Sequence, residues 1–315
     1  MITSFRHISV VGLLSLAFIA LAVAIKVSRL GPSPLDLPWS QGTSRSLSTD
    51  ETFYDSQNQT QVADKKSSPT KSSSLNVTAV AYLVGDVRTG QVLFGRNTAK
   101  ALPVASMSKL ITAIESIDRL SATDPIEVTE AEIAVASDSI RWMPGERFAM
   151  NELLYPMLLN SSNVAAEALA SSTDRRKFME NMSSYAWEIG MPATYFADPT
   201  GLSPQNISTA ADFFALARYL YSRRPDILEI TRTSTFEVAT TSDHGAHIFT
   251  SIHPFVDDPN FIGGKTGHTE IARDTLLTIM KVGSRSLAFI VLGSENRKAD
   301  TEVLIGLAKK SLGVK

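Results

Sequence analysis

The chain has no cysteine. That excludes disulfides, thiolate catalysis and cysteine-ligated zinc, and it leaves the redox compartment open, because a thiol-free protein suits either side of a membrane. Net charge is also scarce, −2 over 315 residues, so no overall field draws the chain to nucleic acid. Histidine is rare, at five residues, with no HExxH pair. His244 and His247 stand close together in an expected loop, with no obvious carboxylate partner, and no metal site is expected. Glu146, Glu152 and Glu167 read as solvated or paired surface groups. There is no internal repeat. What remains is an ordinary globular mixture, 43% hydrophobic and 20% charged, able to bury the core of one large domain or two small ones.

The N-terminus differs from the rest. Residues 8–25 run without a charge, between Arg6 and the pair Lys26 and Arg29. Such a run is at the lower edge of what spans a hydrocarbon core of about 30 Å. A retained membrane anchor over 1–30 fits its length, while a cleaved signal peptide fits the basic start and Ala22-Val23-Ala24. The anchor is favoured, because the run is long for a signal segment. Residues 31–75 are rich in Ser, Thr, Gln, Asp, Lys and Pro and cannot bury enough surface to offset their ordering entropy. They are expected to be a disordered polar linker leading to a folded domain over 76–315.

In that domain strands come first, over 77–84 and 91–94, joined by a turn ending at Gly90. A helix over 106–120 carries Met107, Leu110, Ile111, Ile114 and Ile117 on one face. Further helices are expected over 151–159, 163–171, 175–189 and 209–221. Strands return over 234–239, 261–265, 274–282 and 286–293, and a helix over 297–312 closes the chain. This segregation favours an α+β fold with helices packed on an antiparallel sheet. The first hairpin is expected to pair with the last strands.

Three short motifs carry chemistry: Ser106-Met107-Ser108-Lys109, Ser161-Ser162-Asn163 and Lys265-Thr266-Gly267. Singly they weigh little. SxxK recurs at Ser68 in the linker, and SxN recurs at Ser56, Ser74 and Ser294. A serine opening a helix serves equally as an N-cap, and a lysine as a solvated charge. Ser161–Asn163 equally suits a capping turn, and Lys265 a soluble strand edge. Yet a serine hydroxyl needs a nearby base, and Lys109 lies one helical turn on. A lysine in an apolar pocket loses proton affinity and can serve as that base. The start of the helix adds the Ser106 N–H and a partial positive charge, both useful to an oxyanion. On a strand, Lys265 and Thr266 can hold a carboxylate, and Gly267 lets a peptide approach closely, beside the His268 N–H.

In this order and spacing the motifs resemble those of the serine D-alanyl-D-alanine peptidases, the low-molecular-mass penicillin-binding proteins. Ala105–Leu110, the stretch Asp198-Pro199-Thr200-Gly201-Leu202 with Ser208-Thr209-Ala210, and Gly264–Thr269 extend the resemblance, which covers residues 77–313. It implies a β-lactamase/transpeptidase-like α+β fold, with a five-stranded antiparallel sheet flanked by helices and an all-helical lobe. It implies a serine-type D-Ala-D-Ala carboxypeptidase acting on peptidoglycan stem peptides through an acyl-enzyme on Ser106, without a cofactor. Lys109 would be the general base. Ser161 and Asn163 would pass the proton on and orient the substrate, and Lys265 and Thr266 would hold its terminal carboxylate. The N–H groups of Ser106 and His268 would form the oxyanion hole. β-Lactams are then expected as covalent inhibitors, and the catalytic domain is expected outside a bacterial cell membrane, held by a single-pass anchor.

Two departures stand out. Ala272-Arg273 replaces the usual Ala-Gly, which leaves one cleft edge open to question. The anchor is expected at the N-terminus, where many family carboxypeptidases have theirs at the other end, and the shorter build and the helix pair around residues 159–163 resemble the endopeptidase branch, which cuts cross-links. A β-lactamase is disfavoured, because no Glu-x-x-Leu-Asn segment occurs between residues 171 and 204. A penicillin-binding sensor module with little turnover is a further alternative.

Overall fold

The computed structural model describes residues 76–314, apart from 136 and 137. The anchor and linker expected over 1–30 and 31–75 therefore lie outside the described residues. Among the described residues no helix is long and apolar enough to cross a membrane.

Strands β1 (Ala81–Asp86) and β2 (Val92–Arg96) form the opening hairpin. Asp86 shapes its turn, accepting from the Arg88 and Thr89 N–H groups at 2.9 and 3.1 Å. A short β3 (Leu102–Pro103) precedes a 3-10 turn, Ala105–Ser108, that runs into helix α1 (Lys109–Arg119). Next come β4 (Pro125–Glu127), α2 (Glu130–Val135), β5 (Arg147–Ala149) and α3 (Met150–Tyr155). A π turn, Pro156–Asn160, leads to α4 (Asn163–Ser171), α5 (Arg175–Glu188), β6 (Ile207–Ser208), α6 (Ala210–Arg223) and α7 (Pro225–Arg232). The chain then forms β7 (Thr235–Val238), β8 (His247–Thr250), β9 (Phe261–Thr269), β10 (Arg273–Val282) and β11 (Arg285–Ser294), and ends in α8 (Arg297–Ser311).

The main sheet has the order β2-β1-β11-β10-β9, antiparallel throughout. The first hairpin does pair with the last strand, with Leu83 opposite Ile290. Side chains alternate between two cores, as a pleated strand buried on both faces requires. Ala81, Leu83, Leu277, Ile279, Ala288, Ile290 and Leu292 face the large helical lobe. Tyr82, Val84, Leu276, Met280, Leu287, Phe289 and Val291 pack with Leu304 and Ala308 of α8. Asp300 of α8, buried, draws the two ends of the domain together. It accepts from Thr78 N–H, Thr78 Oγ1 and Ala79 N–H, each at 2.8 Å, and from Ser294 Oγ at 2.5 Å.

Several expectations are corrected. The nucleophile segment does not start an α-helix, since residues 105–108 form a 3-10 turn. The helix expected over 151–159 changes at Pro156, which has no N–H to donate, and continues as a π turn. The segment 225–232 is a separate helix with Pro225 at its start. The strand 235–238 pairs with β8 outside the main sheet, so His247 is in a strand and not a loop. The strand expected to end at 265 runs to Thr269, which puts Lys265-Thr266-Gly267 inside it.

Candidate active site

The 3-10 turn, the start of α4, the loop 197–206 and strand β9 meet around one amine. Lys109 is fully buried, not a solvated charge. Its Nζ lies 2.8 Å from Ser106 Oγ, 2.7 Å from Asn163 Oδ1 and 2.5 Å from the Thr200 carbonyl oxygen. Burial pulls its proton affinity down to about 7, against the upward pull of Asp198, Asp138 and Glu167. Near neutrality the amine is thus free to lose its third proton. Asn163 Oδ1 and the Thr200 carbonyl only accept, so a neutral amine keeps two N–H groups on them and turns its lone pair to the Ser106 hydroxyl. This arrangement can deprotonate Ser106.

Backbone strain surrounds that pair. Ala105, just before the serine, has φ 49°, and Ser161 has φ 65°. Non-glycine residues in this region cost about 1–2 kcal/mol each, and such strain collects at functional sites. Ser161 ends the π turn, half-buried, two residues before Asn163. Ser162 between them caps α4, accepting from the Ala165 N–H at 3.0 Å, and it donates to Asp138.

Strand β9 closes the other side. A Cβ on Gly267 would stand 3.0 Å from Ala105 Cβ and 2.9 Å from the Val104 carbonyl oxygen, so glycine is what lets the strand reach the nucleophile turn. Thr275 on the neighbouring strand donates to the same Val104 carbonyl at 3.0 Å. Lys265, only 1% exposed, donates to the Thr266 carbonyl at 2.9 Å, and so it does not solubilise an edge. Burial first, then Lys109 and Arg297, hold its proton affinity well below the usual lysine range. The two lysines therefore share one electrostatic site. The His268 ring is exposed and pairs with Asp274 at 2.9 Å. Arg297 donates to the Gly267 carbonyl at 2.7 Å and meets Asp274 at 3.3 Å.

Of the residues singled out by sequence, Ser106, Lys109 and Asn163 are in direct contact, and Gly267 lies against the turn before Ser106. Arg273, just past β9, has φ 56°, and its guanidinium pairs with Glu295 at 3.0 Å. The sequence reading missed the Thr200 carbonyl, Asp198, Asp138, Asp274 and Arg297. The stretch Asp198-Pro199-Thr200-Gly201 was the available signal, a turn whose aspartate binds backbone N–H groups.

The histidine pair has a carboxylate after all. His247 Nε2 lies 3.0 Å from Glu146 Oε1, inside an aromatic cluster with Trp142, Phe148 and Phe249. Glu146 and Glu167 are buried, not solvated, and Glu167 pairs with Arg175 at 2.8 Å. Glu152 accepts from the Ala149 N–H at the start of α3. Among the described residues no cluster of three His, Cys, Asp or Glu side chains could hold a metal ion.

Residues 65–296 match the family model described as D-alanyl-D-alanine carboxypeptidase. The D-alanyl-D-alanine carboxypeptidase DacB2 of Mycobacterium tuberculosis is 28% identical over 219 residues, 68% of this chain and 74% of that protein. A D-alanyl-D-alanine endopeptidase of Pseudomonas aeruginosa is 36% identical over 148 residues, 45% of this chain and 46% of that one. The crystal structure of a putative penicillin-binding protein homologue from Mycobacterium tuberculosis superposes with a TM-score of 0.67 at 26% identity, covering 74% of this chain and 92% of that one. A DD-transpeptidase of Streptomyces K15, at 20% identity and a TM-score of 0.66, shares the fold. The family match spans most of the chain and contains Ser106, Lys109, Asn163 and Lys265: the chain belongs to the D-alanyl-D-alanine carboxypeptidase family.

Proposed function

We propose that this chain is a serine-type D-Ala-D-Ala carboxypeptidase that hydrolyses peptidoglycan stem peptides through an acyl-enzyme on Ser106. One observation carries the reading, the buried Lys109 amine 2.8 Å from Ser106 Oγ, with proton affinity near neutrality. Ser106 Oγ attacks the carbonyl carbon between the two D-Ala residues as its proton passes to Lys109 Nζ. The developing oxyanion lies at the N–H groups of Ser106 and His268. The proton then reaches the leaving amine by way of Ser161, with Asn163 orienting the substrate. The C–N bond breaks, terminal D-Ala departs, and water releases the peptide from Ser106. Lys265 and Thr266 hold the terminal carboxylate.

β-Lactams enter the same chemistry as acylating inhibitors. The apolar run 8–25 supports a single-pass anchor with the catalytic domain outside a bacterial cell membrane. A second reading, cleavage of cross-links as a DD-endopeptidase, is supported by the likeness to the Pseudomonas aeruginosa endopeptidase.

The test is intact-protein mass after incubation with benzylpenicillin, beside Ser106→Ala. A lasting adduct absent from the variant is expected. Consumption of the drug without an adduct would mean a β-lactamase, and intact drug would mean a binding module. Release of D-Ala from a pentapeptide, compared with cleavage of a cross-linked dimer, separates the two peptidase readings.

A further inference from the structure

One carboxylate shapes the loop that touches both members of the reacting pair. Asp198 Oδ1 accepts from the Thr200 N–H at 2.8 Å, Thr200 Oγ1 at 2.7 Å and the Gly201 N–H at 2.6 Å, and Oδ2 accepts from the Ser203 N–H at 2.6 Å. Asn206, fully buried, fixes the residue from behind. Its Oδ1 accepts from the Ala197 and Asp198 N–H groups at 2.8 and 3.1 Å, and its Nδ2 donates to the Asp198 carbonyl at 2.9 Å. The Asn206 carbonyl in turn accepts from the Val104 N–H at 3.0 Å, two residues before the nucleophile. This loop sets the Thr200 carbonyl 2.5 Å from Lys109 Nζ.

We propose that Asp198 is a positioning residue for acylation: by fixing the Thr200 carbonyl it determines which position of the Lys109 amine carries the lone pair, and aims that lone pair at Ser106. The inference rests on Ser106 and Lys109 being the acylating pair. A neutral amine has two N–H groups and one lone pair, and it faces three oxygens here. Two of these can only accept, and only the serine can donate. If the Thr200 carbonyl drifts, an N–H can turn to Ser106 Oγ, and the lone pair then points where there is no proton to take. Asp198 also bears on the amine through its charge. The other ionisable groups facing Lys109 are Asp138, Glu167 with its partner Arg175, and Lys265. Removing the Asp198 charge leaves the ammonium with less support, so it loses its proton at lower pH.

The test is the pH dependence of benzylpenicillin adduct formation, followed by intact mass and normalised to folded protein by circular dichroism. For Asp198→Asn the acidic limb is expected to move to lower pH, by on the order of half a unit, while the plateau rate falls about tenfold or more. Asp198→Glu restores the charge on a longer arm, so its limb stays with the wild type while its plateau stays low. A wild-type plateau in either variant overturns the proposal. So does a low plateau in Asp198→Asn with an unmoved limb, which means a merely structural loss. If Asp198→Asn does not fold, the plateau of Asp198→Glu decides alone. A wild-type protein that forms no adduct on Ser106 removes the underlying reading, and this inference with it.

Discussion

Gly201 rests directly on Ala105: a Cβ at position 201 would stand 2.1 Å from the Ala105 carbonyl oxygen and 2.6 Å from the Ser106 nitrogen. The neighbour is backbone, which cannot swing aside, and Gly201 has φ 86°. Gly201→Ala therefore meets a clash and a left-handed backbone at once, an expected loss of roughly 2–5 kcal/mol. Thermal melting would register it. Adduct formation by the remaining folded protein should also fall, since the clash pushes on the Ser106 turn itself. A variant with wild-type melting and acylation would refute this contact.

Lys109 loses its third proton at about 7, because it is buried. Below that pH the ammonium has no lone pair, so the acylation rate should drop about tenfold for each pH unit. Above it the rate should level off. Lys109→Arg, whose charge persists, is expected to abolish the adduct at every pH. A flat profile between pH 5 and 8 would rule Lys109 out as the base.

Arg273 occupies a left-handed position (φ 56°), which glycine adopts without steric cost, and its pair with Glu295 is solvent-exposed. Exposed ion pairs contribute about 0–1 kcal/mol, whereas relief of the strain returns about 1–2 kcal/mol. Arg273→Gly should thus leave stability unchanged or raise it by up to about 1 kcal/mol. Chemical denaturation checks the sign, and a clear loss would show that the Glu295 pair outweighs the strain.

Asp300 joins the start of the domain to its last helix through the four donors of Thr78, Ala79 and Ser294. Asp300→Ala strands the buried Ala79 and Ser294 donors, while those of the exposed Thr78 turn to water, with an expected cost of about 2 kcal/mol or more. The joint is on the α8 face of the sheet, whereas Met107, next to Ser106, packs in the core of the opposite face. Acylation per folded molecule should stay at the wild-type rate while the melting temperature falls.

The sheet was legible because its logic is local and periodic: apolar strands at both ends of the domain leave few ways to pair other than β1 beside β11. The three motifs were legible because their residue types are chemically distinctive. What escaped was chemistry carried by backbone or by distance. The Thr200 carbonyl presents the same group as any other residue, so no residue type marks it as an acceptor for Lys109. Glu146 and His247 are 101 positions apart and meet only because the β7–β8 hairpin folds over β5. The π turn was hidden too, because the apolar pattern continues through Pro156 while the missing N–H changes the ladder beneath it.

His253 makes the stability of the fold sensitive to acid. It is buried against Phe261, accepts at Nδ1 from the Phe255 N–H at 3.3 Å, and meets the Leu277 carbonyl through Nε2 at 3.3 Å. Burial drives its proton affinity down to about 3, with Lys265 and Arg297 adding to that against the Leu277 carbonyl. The ring is therefore neutral in the folded protein, while the unfolded chain takes up a proton below about 6.5. Between those values the unfolded state binds more protons, so stability must fall as pH falls, by up to about 1.4 kcal/mol per unit from this residue. Nothing is contributed above about 6.5, and the loss stops growing below about 3. His253→Gln keeps a polar side chain without the titration. The difference in unfolding free energy between wild type and variant, measured from pH 7.5 to 4.5, should shift steadily against the wild type as the solution is acidified. A difference that stays constant with pH would mean that His253 is protonated in the fold or already open to water, and would remove this explanation of acid sensitivity.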